Sequence, residues 1–205
     1  TEGANPLQQL ITESLKAKMI GEGLPEDPVS IENGAIIAKC KRWPLIIDPQ
    51  LQGITWIRRR LTPHGLITTQ QSQAGYLGKV RQAMEEGLPL LLENCGESFD
   101  AVMEPVLSRA IMRKGRKAVI KMGDKEVDLL CAVDPETQMP TGKPLFKLYL
   151  QTKLPNPHYI PEIQAQTTLV SFTVTEKGLE DQLLGVVVSK ERLDLEEQRA
   201  ELVAQ

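Results

Sequence analysis

The stretch that decides the fold is RWPLIIDPQLQGITWIRRRL, residues 42–61. Its first part, Trp43–Ile47, is a short apolar run that is typical of a buried strand. Residues 53–60 have the apolar spacing of an amphipathic helix, and the polar segment between the two predicts a tight turn. A buried strand, a turn and a helix in this order are the layout of a phosphate-binding loop.

The stretch lacks the residues that make such a loop bind phosphate. Against the Walker A pattern G-x-x-x-x-G-K-[ST], Asp48 stands at the first glycine, while Gly53 keeps the second. Thr55 keeps the hydroxyl, but Ile54 replaces the lysine. A hydrogen bond to a charged group contributes roughly 1.5–3 kcal/mol, so loss of the lysine alone would weaken binding ~10–100-fold. The shape of a nucleotide site is therefore better preserved than its chemistry.

A second motif fails in the same way. Residues 88–94, LPLLLEN, resemble a Walker B strand, an apolar run that ends in two acids. Glu93 could still reach a metal through water, but Asn94 has no basic group to take a proton from the attacking water. Since general-base catalysis typically contributes ~10²–10⁴-fold, we expect negligible hydrolysis even if ATP were bound.

The rest of the chain predicts an α/β fold. We expect helices at residues 8–23, 30–40, 75–86 and 99–109, with Ser30 capping the second and Gly87 ending the third. Further strands are expected at residues 66–69, 88–94, 145–152 and 167–174. Residues 117–122 and 125–133 predict a β-hairpin around Gly123 and Asp124, and residues 134–144 a loop. Strands that alternate with helices indicate a doubly wound parallel sheet, with the two failed motifs at its carboxyl edge.

Composition excludes several classes of function. The net charge of -3 argues against a protein built to hold nucleic acid, and 4% aromatic residues provide few base-stacking platforms. Three widely spaced cysteines predict free thiols in a reducing compartment. Two isolated histidines give no zinc pattern, and no apolar run is long enough for a membrane span. The N-terminus has no signal-peptide pattern and no initiator methionine, so we expect a piece of a longer chain.

Four segments together resemble one family. They are residues 30–57, 88–110, 120–128 and 150–198, and they match, in order, the fifth AAA+ module of dynein heavy chains. The long phrases WPLIIDPQLQ and TKLPNPHYIPE carry most of the resemblance. The wording IDPQLQG and LENCGE is more similar to axonemal than to cytoplasmic dyneins. Residues 131–146 depart from it, because they are longer than the linker expected before the sensor strand, and we expect an exposed loop over residues 129–144.

The resemblance implies a domain plan. Residues 1–28 would be the lead-in from the stalk, and residues 29–177 the large α/β subdomain with degenerate Walker motifs. Residues 178–205 would begin the lid and buttress region as a helix. The implied fold is a P-loop NTPase-like AAA+ doubly wound parallel sheet with helices on both faces and a β-hairpin insert.

The resemblance also implies a role. The fifth module of the dynein ring is taken to be catalytically silent and structural, and a buttress from it supports the stalk that carries the microtubule-binding tip. The expected partners are neighbouring AAA+ modules, the stalk coiled coil and, through the parent chain, microtubules, without nucleic acid or membrane. We expect no cofactor here, ATP and Mg²⁺ being those of the parent motor, and a location in the cytoplasm, cytoskeleton and ciliary or flagellar axoneme.

Candidate site residues follow from the two motifs. We expect no catalytic and no metal-binding residue, only vestigial contacts at Pro49, Gln50, Gln52, Gly53, Thr55, Glu93 and Asn94. Thr152, Lys153 and Asn156 follow a strand where AAA+ proteins keep a polar γ-phosphate sensor, but a proline-rich turn is the favoured interpretation. Arg109 could be an arginine finger, against the favoured interpretation of a solvated helix cap.

Other conspicuous residues have plainer interpretations. Trp43 and Trp56 are expected in the core or at a module interface, and Cys95 as a packed thiol. Two basic clusters could contact nucleic acid or a neighbouring module, but solvated charge is the favoured interpretation: Arg58, Arg59 and Arg60, and Arg113, Lys114, Arg116 and Lys117.

Three rival functions remain open. A regulatory module could hold ADP without turnover on the backbone amides of residues 50–55 and the helix N-terminus. An independent small NTPase is disfavoured by Ile54 and Asn94. A plain scaffold domain without ring partners would lack the exposed apolar patches that flat ring interfaces require.

Overall fold

The computed structural model describes residues 11–115, 117–133 and 140–173, together with residues 179–180, 183–184 and 187. Several expectations therefore lie outside the described residues. They concern residues 1–10 of the lead-in, Arg116, the middle of the expected loop at 134–139, and most of the lid and buttress region at 178–205.

The helices and strands follow one another in an α/β order. The helices are α1 (Glu13–Gly21), α2 (Pro28–Lys39), α3 (Gln52–Leu61), α4 (Tyr76–Glu86), α5 (Glu104–Leu107) and α6 (Pro161–Gln166). The strands are β1 (Trp43–Ile47), β2 (Ile67–Gln70), β3 (Pro89–Glu93), β4 (Met112–Lys114), β5 (Lys117–Met122), β6 (Lys125–Leu129), β7 (Cys131–Val133), β8 (Pro140–Pro144), β9 (Lys147–Thr152) and β10 (Thr167–Ser171).

A parallel sheet organises the described part of the chain. Five strands lie in the order β10-β1-β9-β3-β2, and each neighbouring pair runs parallel. This confirms the parallel sheet that the near-continuous apolar strands predicted, because such strands are covered on both faces. Since β9 lies between β1 and β3, the two failed motifs end on either side of it.

Two hydrophobic clusters cover the two faces of the sheet. Alternate residues of the central strands β1, β9 and β3 enter opposite clusters, as Leu91 and Leu92 of β3 do. One cluster packs α1, α2 and α3 against the sheet and contains the fully buried Trp56. The other packs α4, α5 and the strands β5 and β6, and it contains Trp43. Both tryptophans are therefore core residues, as expected.

Two expected helix details are wrong. Asp27, not Ser30, caps α2: its Oδ2 accepts a hydrogen bond of 3.0 Å from the Ser30 amide, and Pro28 supplies the first turn. The helix expected at residues 99–109 is a 3-10 turn, Ala101–Met103, followed by the four-residue α5. Pro105 has no amide hydrogen to extend the 3-10 turn into a longer helix, and it sits where a new helix can begin.

Antiparallel strands occupy the region where we expected a hairpin followed by a loop. β4, β5 and β6 form a three-stranded ribbon, and β5 turns into β6 at Gly123, whose φ of 59° is left-handed. β7 and β8 pair with each other. The expectation of an exposed loop over residues 129–144 is therefore wrong for Cys131–Val133 and Pro140–Pro144. Within the described residues, no helix has the length and apolarity to cross a membrane.

Candidate functional site

Asp48 fills the turn where a phosphate would be held. Its side chain is fully buried after β1, and its two oxygens accept hydrogen bonds from the Gln52 amide at 3.0 Å and the Ile54 amide at 2.9 Å. Burial raises the pKa of the Asp48 carboxyl, while amides at Ile54, Gln52, Gly53 and Leu51 act in the opposite direction. The first turn of α3 therefore already has an acidic acceptor of its own.

This arrangement does not fit a nucleotide phosphate. Helix N-termini bind anions because their first amides lack intrahelical partners. At α3 the Asp48 carboxylate uses these amides, and a phosphate would have to displace a carboxylate or bind beside it. Leu51 holds the turn closed in a left-handed conformation, with a φ of 61°. The loop is therefore a capped turn rather than a cradle.

The other Walker A positions also serve the fold. Ile54 is 3% exposed and packs in the core at the position of the missing lysine. Gly53 lies against the ring of Phe172, so that a Cβ there would come within 2.8 Å of ring carbons. The Thr55 hydroxyl donates to the Leu51 carbonyl at 2.6 Å. Pro49 is half-buried and Gln50 is exposed on the turn.

Glu93, the expected metal-side acid, forms an ion pair. Its carboxylate accepts from Nε of Arg58 at 3.0 Å and also from a terminal nitrogen of the same guanidinium. The Glu93 side chain is 10% exposed, and the pair joins α3 to the end of β3. Arg58 is exposed on its helix face, as expected, but it also forms this ion pair, so one positive charge already neutralises Glu93.

Gln151 ties the two motifs together. This residue of β9 is fully buried, and its amide oxygen accepts from the Asn94 backbone amide at 3.0 Å. Its amide nitrogen donates to the Asp48 carbonyl at 3.3 Å. Asn94 itself has a φ of 54° and an exposed side chain, so it presents no base to the edge. The structure therefore does bring the two motifs together at one sheet edge, as predicted.

The expected sensor residues divide into two groups. Thr152 is fully buried, and its hydroxyl donates to the Cys95 carbonyl at 2.8 Å and accepts from the Leu154 amide at 3.2 Å. Lys153 and Asn156 are exposed, with Asn156 in a bend next to Pro155. The favoured interpretation of a turn fits these two. Thr152 instead uses its hydroxyl in hydrogen bonds at the sheet edge.

Arg109 is neither a free finger nor a solvated cap. Its guanidinium lies 5.8 Å from the ring centre of Trp43 and donates to the Lys41 carbonyl. It is thus held by its own domain. In the second basic cluster, Lys114 and Lys117 form ion pairs with Glu126 and Asp128 along the ribbon.

Cys95 is an inert thiol at the same edge. It is 2% exposed, and burial raises its pKa from 9.0 to about 12. This agrees with the expected packed thiol, since the thiolate is the reactive form.

The sequence did not lead us to predict that Asp48 caps α3. It also did not predict that Gln151 joins the two motifs or that Arg58 pairs with Glu93. An aspartate four residues before a helix start was a usable signal for the first, because Asp side chains readily accept from nearby backbone amides. Nothing in the sequence signalled the other two, since their partners lie 35 to 103 residues away.

Comparisons with known proteins agree with one another. Residues 17–205 match the family described as ATP-binding dynein motor region. The chain is similar to the dynein beta chain of the flagellar outer arm of Chlamydomonas reinhardtii, with 51% identity over 99% of this chain. It is also similar to human dynein axonemal heavy chain 9, with 48% identity over 100% of this chain. The chain spans about 4% of the length of either relative.

Proposed function

Because the chain belongs to the family of ATP-binding dynein motor regions, with axonemal dynein heavy chains as its relatives, we propose that it is a structural, non-hydrolysing AAA+ module of the motor ring. The observation that carries this proposal is the capped turn. Both oxygens of Asp48 accept hydrogen bonds from the α3 amides that would otherwise be available to a phosphate. A module closed in this way holds its shape without nucleotide.

Two further contacts support the absence of turnover. Glu93 is paired with Arg58, so a cation at this edge would compete with a guanidinium already in place. Asn94 carries an amide where hydrolysis needs a base, and its backbone is fixed by Gln151. Hydrolysis would require these contacts to be rebuilt.

The finer assignment rests on the resemblance. We place the chain as the fifth module, with a hairpin insert and a lid and buttress region at its C-terminal end. Its role would be to carry ATP-driven changes of the ring to the stalk, for microtubule-based movement of cilia or flagella. Its partners would be neighbouring modules of the same heavy chain, the stalk coiled coil and, through the parent chain, microtubules. ATP and Mg²⁺ would act at other modules of the parent chain. The protein would be located in the cytoskeleton of the axoneme.

Calorimetric titration of ATP and ADP with Mg²⁺ into the chain tests the proposal. We expect no saturable heat and no shift in melting temperature that depend on the turn after β1. A nucleotide bound at this turn would be detected, because a ligand at 100 times its Kd stabilises the fold by about 2.7 kcal/mol. Micromolar binding that is lost in Thr55→Ala would overturn the structural assignment in favour of a regulatory nucleotide site.

The variant Asp48→Gly is the matched control. It restores the first glycine of the Walker A pattern and frees the amides of Gln52 and Ile54. If the cap is what excludes phosphate, this variant gains weak nucleotide binding that the wild type lacks, provided that circular dichroism shows it folded.

A further inference from the structure

A second polar site lies at the opposite, amino edge of the sheet. A cavity of about 420 Å³ opens where β3 and β9 begin and where α1, α2 and α3 end. Its wall includes Lys18, Glu22, Arg60, Lys147 and Tyr149. The volume lies within the range of roughly 300–1,000 Å³ that ligand pockets occupy.

Arg60 is fixed in this wall before any ligand arrives. Its guanidinium lies 5.4 Å from the ring centre of Trp56, and one nitrogen contacts Glu22 Oε2 at 3.3 Å. The same Glu22 oxygen accepts from Trp56 Nε1 at 2.9 Å. A guanidinium has five donors, and the long contact to Glu22 uses one. A stacked arginine with donors to offer is pre-organised for an oxyanion.

Three further residues with donors line the cavity, the exposed Lys18 and Lys147 and the buried Tyr149, and their donors have no partner among the described residues. Lys18 and Lys147 form no ion pair or hydrogen bond there. The Tyr149 hydroxyl likewise has no partner there, although Tyr149 is only 9% exposed. Burial raises the pKa of Tyr149, and the nearby Arg60 charge lowers it in part. The Tyr149 hydroxyl is not among the buried polar atoms that lack a partner, so solvent reaches it and it can donate to water or to a ligand in the cavity.

The three helix ends account for these cations only in part. Carbonyl ends of helices attract positive charge, each with about half an elementary charge. Here, however, the last carbonyls of α1 accept from the amides of Glu22, Gly23 and Leu24. The Ile36 carbonyl of α2 accepts from Cys40, and the Arg58 carbonyl of α3 accepts from Thr62. The chain itself thus uses part of the acceptor capacity of these ends, and Glu22 is the acid in the cavity wall.

We propose that this cavity binds a small molecule through a phosphate group, held by Arg60, Lys18 and Lys147 with the Tyr149 hydroxyl. Residues with donors on two helices and a strand line the same cavity, and several donors suit a tetrahedral group with three or four acceptor oxygens better than a planar carboxylate. The site is separate from the capped turn, which lies past the opposite ends of the same strands. Phosphate would therefore bind at the edge that the fold class does not predict.

Titration with inorganic phosphate, followed by ³¹P NMR and calorimetry, tests the proposal on the whole chain. We expect saturable binding that weakens about tenfold in Lys147→Gln, because one charged hydrogen bond is lost, and about fivefold in Tyr149→Phe. Lys153→Gln is the matched control, since it removes the same charge just beyond the other end of β9 and is expected to leave affinity unchanged. An absence of saturable binding, or equal losses in Lys147→Gln and Lys153→Gln, overturns the proposal.

Titration with ATP separates the possible sources of the phosphate and the two sites. ATP binding that weakens in Lys147→Gln but not in Thr55→Ala supports the cavity with a nucleotide as ligand, and leaves the capped turn without one. Binding of inorganic phosphate alone with the same variant pattern supports the cavity with a free phosphate. ATP binding that weakens only in Thr55→Ala overturns the structural role proposed above, and it overturns the cavity as well if inorganic phosphate shows no binding that depends on Lys147.

Discussion

The two edges of the central sheet differ in how their polar groups are used. At the carboxyl edge, Asp48, Glu93 and Gln151 all have partners within the domain, and little polar chemistry is left over. At the amino edge, Lys18, Lys147 and Tyr149 face a cavity without partners among the described residues. The fold class places ligands at the carboxyl edge, yet this chain has closed that edge with its own side chains.

A fold therefore supplies a location for a site but not its chemistry. The strand–turn–helix is intact, and the order of the strands brings the two motifs together. What decides occupancy is whether the donors at the edge are free, and at α3 they are not.

Thiol labelling should give the largest contrast between the edges. Cys95 lies at the carboxyl edge with its pKa raised by burial from 9.0 to about 12, so its thiolate is about a thousandfold scarcer than at an ordinary thiol. Cys40 is half-buried near the amino edge, and the charge of Lys147 lowers its pKa against the larger effect of burial. We expect iodoacetamide to label Cys40 first in the native chain, as mass spectrometry of peptides would show.

The variant Cys40→Ser serves as the control for that labelling. It should remain largely unlabelled at Cys95 under native conditions and become labelled in denaturant. Comparable native rates at Cys40 and Cys95 would mean that the carboxyl edge opens readily, contrary to the closed network described here.

Removal of the cap should destabilise the domain strongly. Asp48→Ala leaves the buried Ile54 amide and the Gln52 amide without their acceptor, and we expect a loss of about 3 kcal/mol in the free energy of unfolding. Asp48→Asn keeps one oxygen acceptor and should lose about half as much. Asp124→Ala in the exposed ribbon turn is the neutral control, within about 0.5 kcal/mol. Urea denaturation measures all three, and a neutral Asp48→Ala would refute the cap.

The free energy of unfolding of the wild type relative to Asp48→Asn should also depend on pH, in a direction that follows from the pKa of Asp48. Because burial raises the pKa of Asp48, the folded state holds this proton more tightly than the unfolded state. The stability contributed by the protonated group is present below the ordinary pKa and is lost as the pH rises through the raised one. The unfolding free energy of the wild type relative to Asp48→Asn should therefore fall as the pH rises across that interval.

A smaller loss of stability should show that Gly53 is needed for packing rather than for phosphate binding. Gly53→Ala would place a Cβ at 2.8 Å from the Phe172 ring, and we expect a loss of about 2 kcal/mol through overpacking. Gly78→Ala in α4 is the matched control: nothing lies within 4 Å of its Cβ, so it should stabilise the helix by roughly 0.5–1 kcal/mol. Equal melting temperatures for the two variants would contradict a packing role for Gly53.

Much of the fold could be predicted from local patterns. The apolar runs before Asp48 and Asn94 became β1 and β3, and Gly87 ended α4 as expected. Errors arose where a local residue overrode the pattern, as Asp27 did at the start of α2 and Pro105 did in the expected helix at 99–109. The prediction of a loop at residues 131–144 was wrong because strand pairing depends on a partner segment, which proline and glycine content does not reveal.

Sequence analysis was enough to predict the strand–turn–helix, the parallel α/β class, the missing lysine and base, and the family. The first three follow from residue type and spacing along the chain, and the family follows from the resemblance of long sequence segments. Only the tertiary structure decided that Asp48 caps α3, that Arg58 neutralises Glu93 and that Gln151 joins both motifs. It alone brought Lys18, Arg60 and Lys147 to one cavity. The physical reason is that hydrogen bonds and ion pairs depend on distances of about 3 Å, and folding sets those distances between residues far apart in the chain.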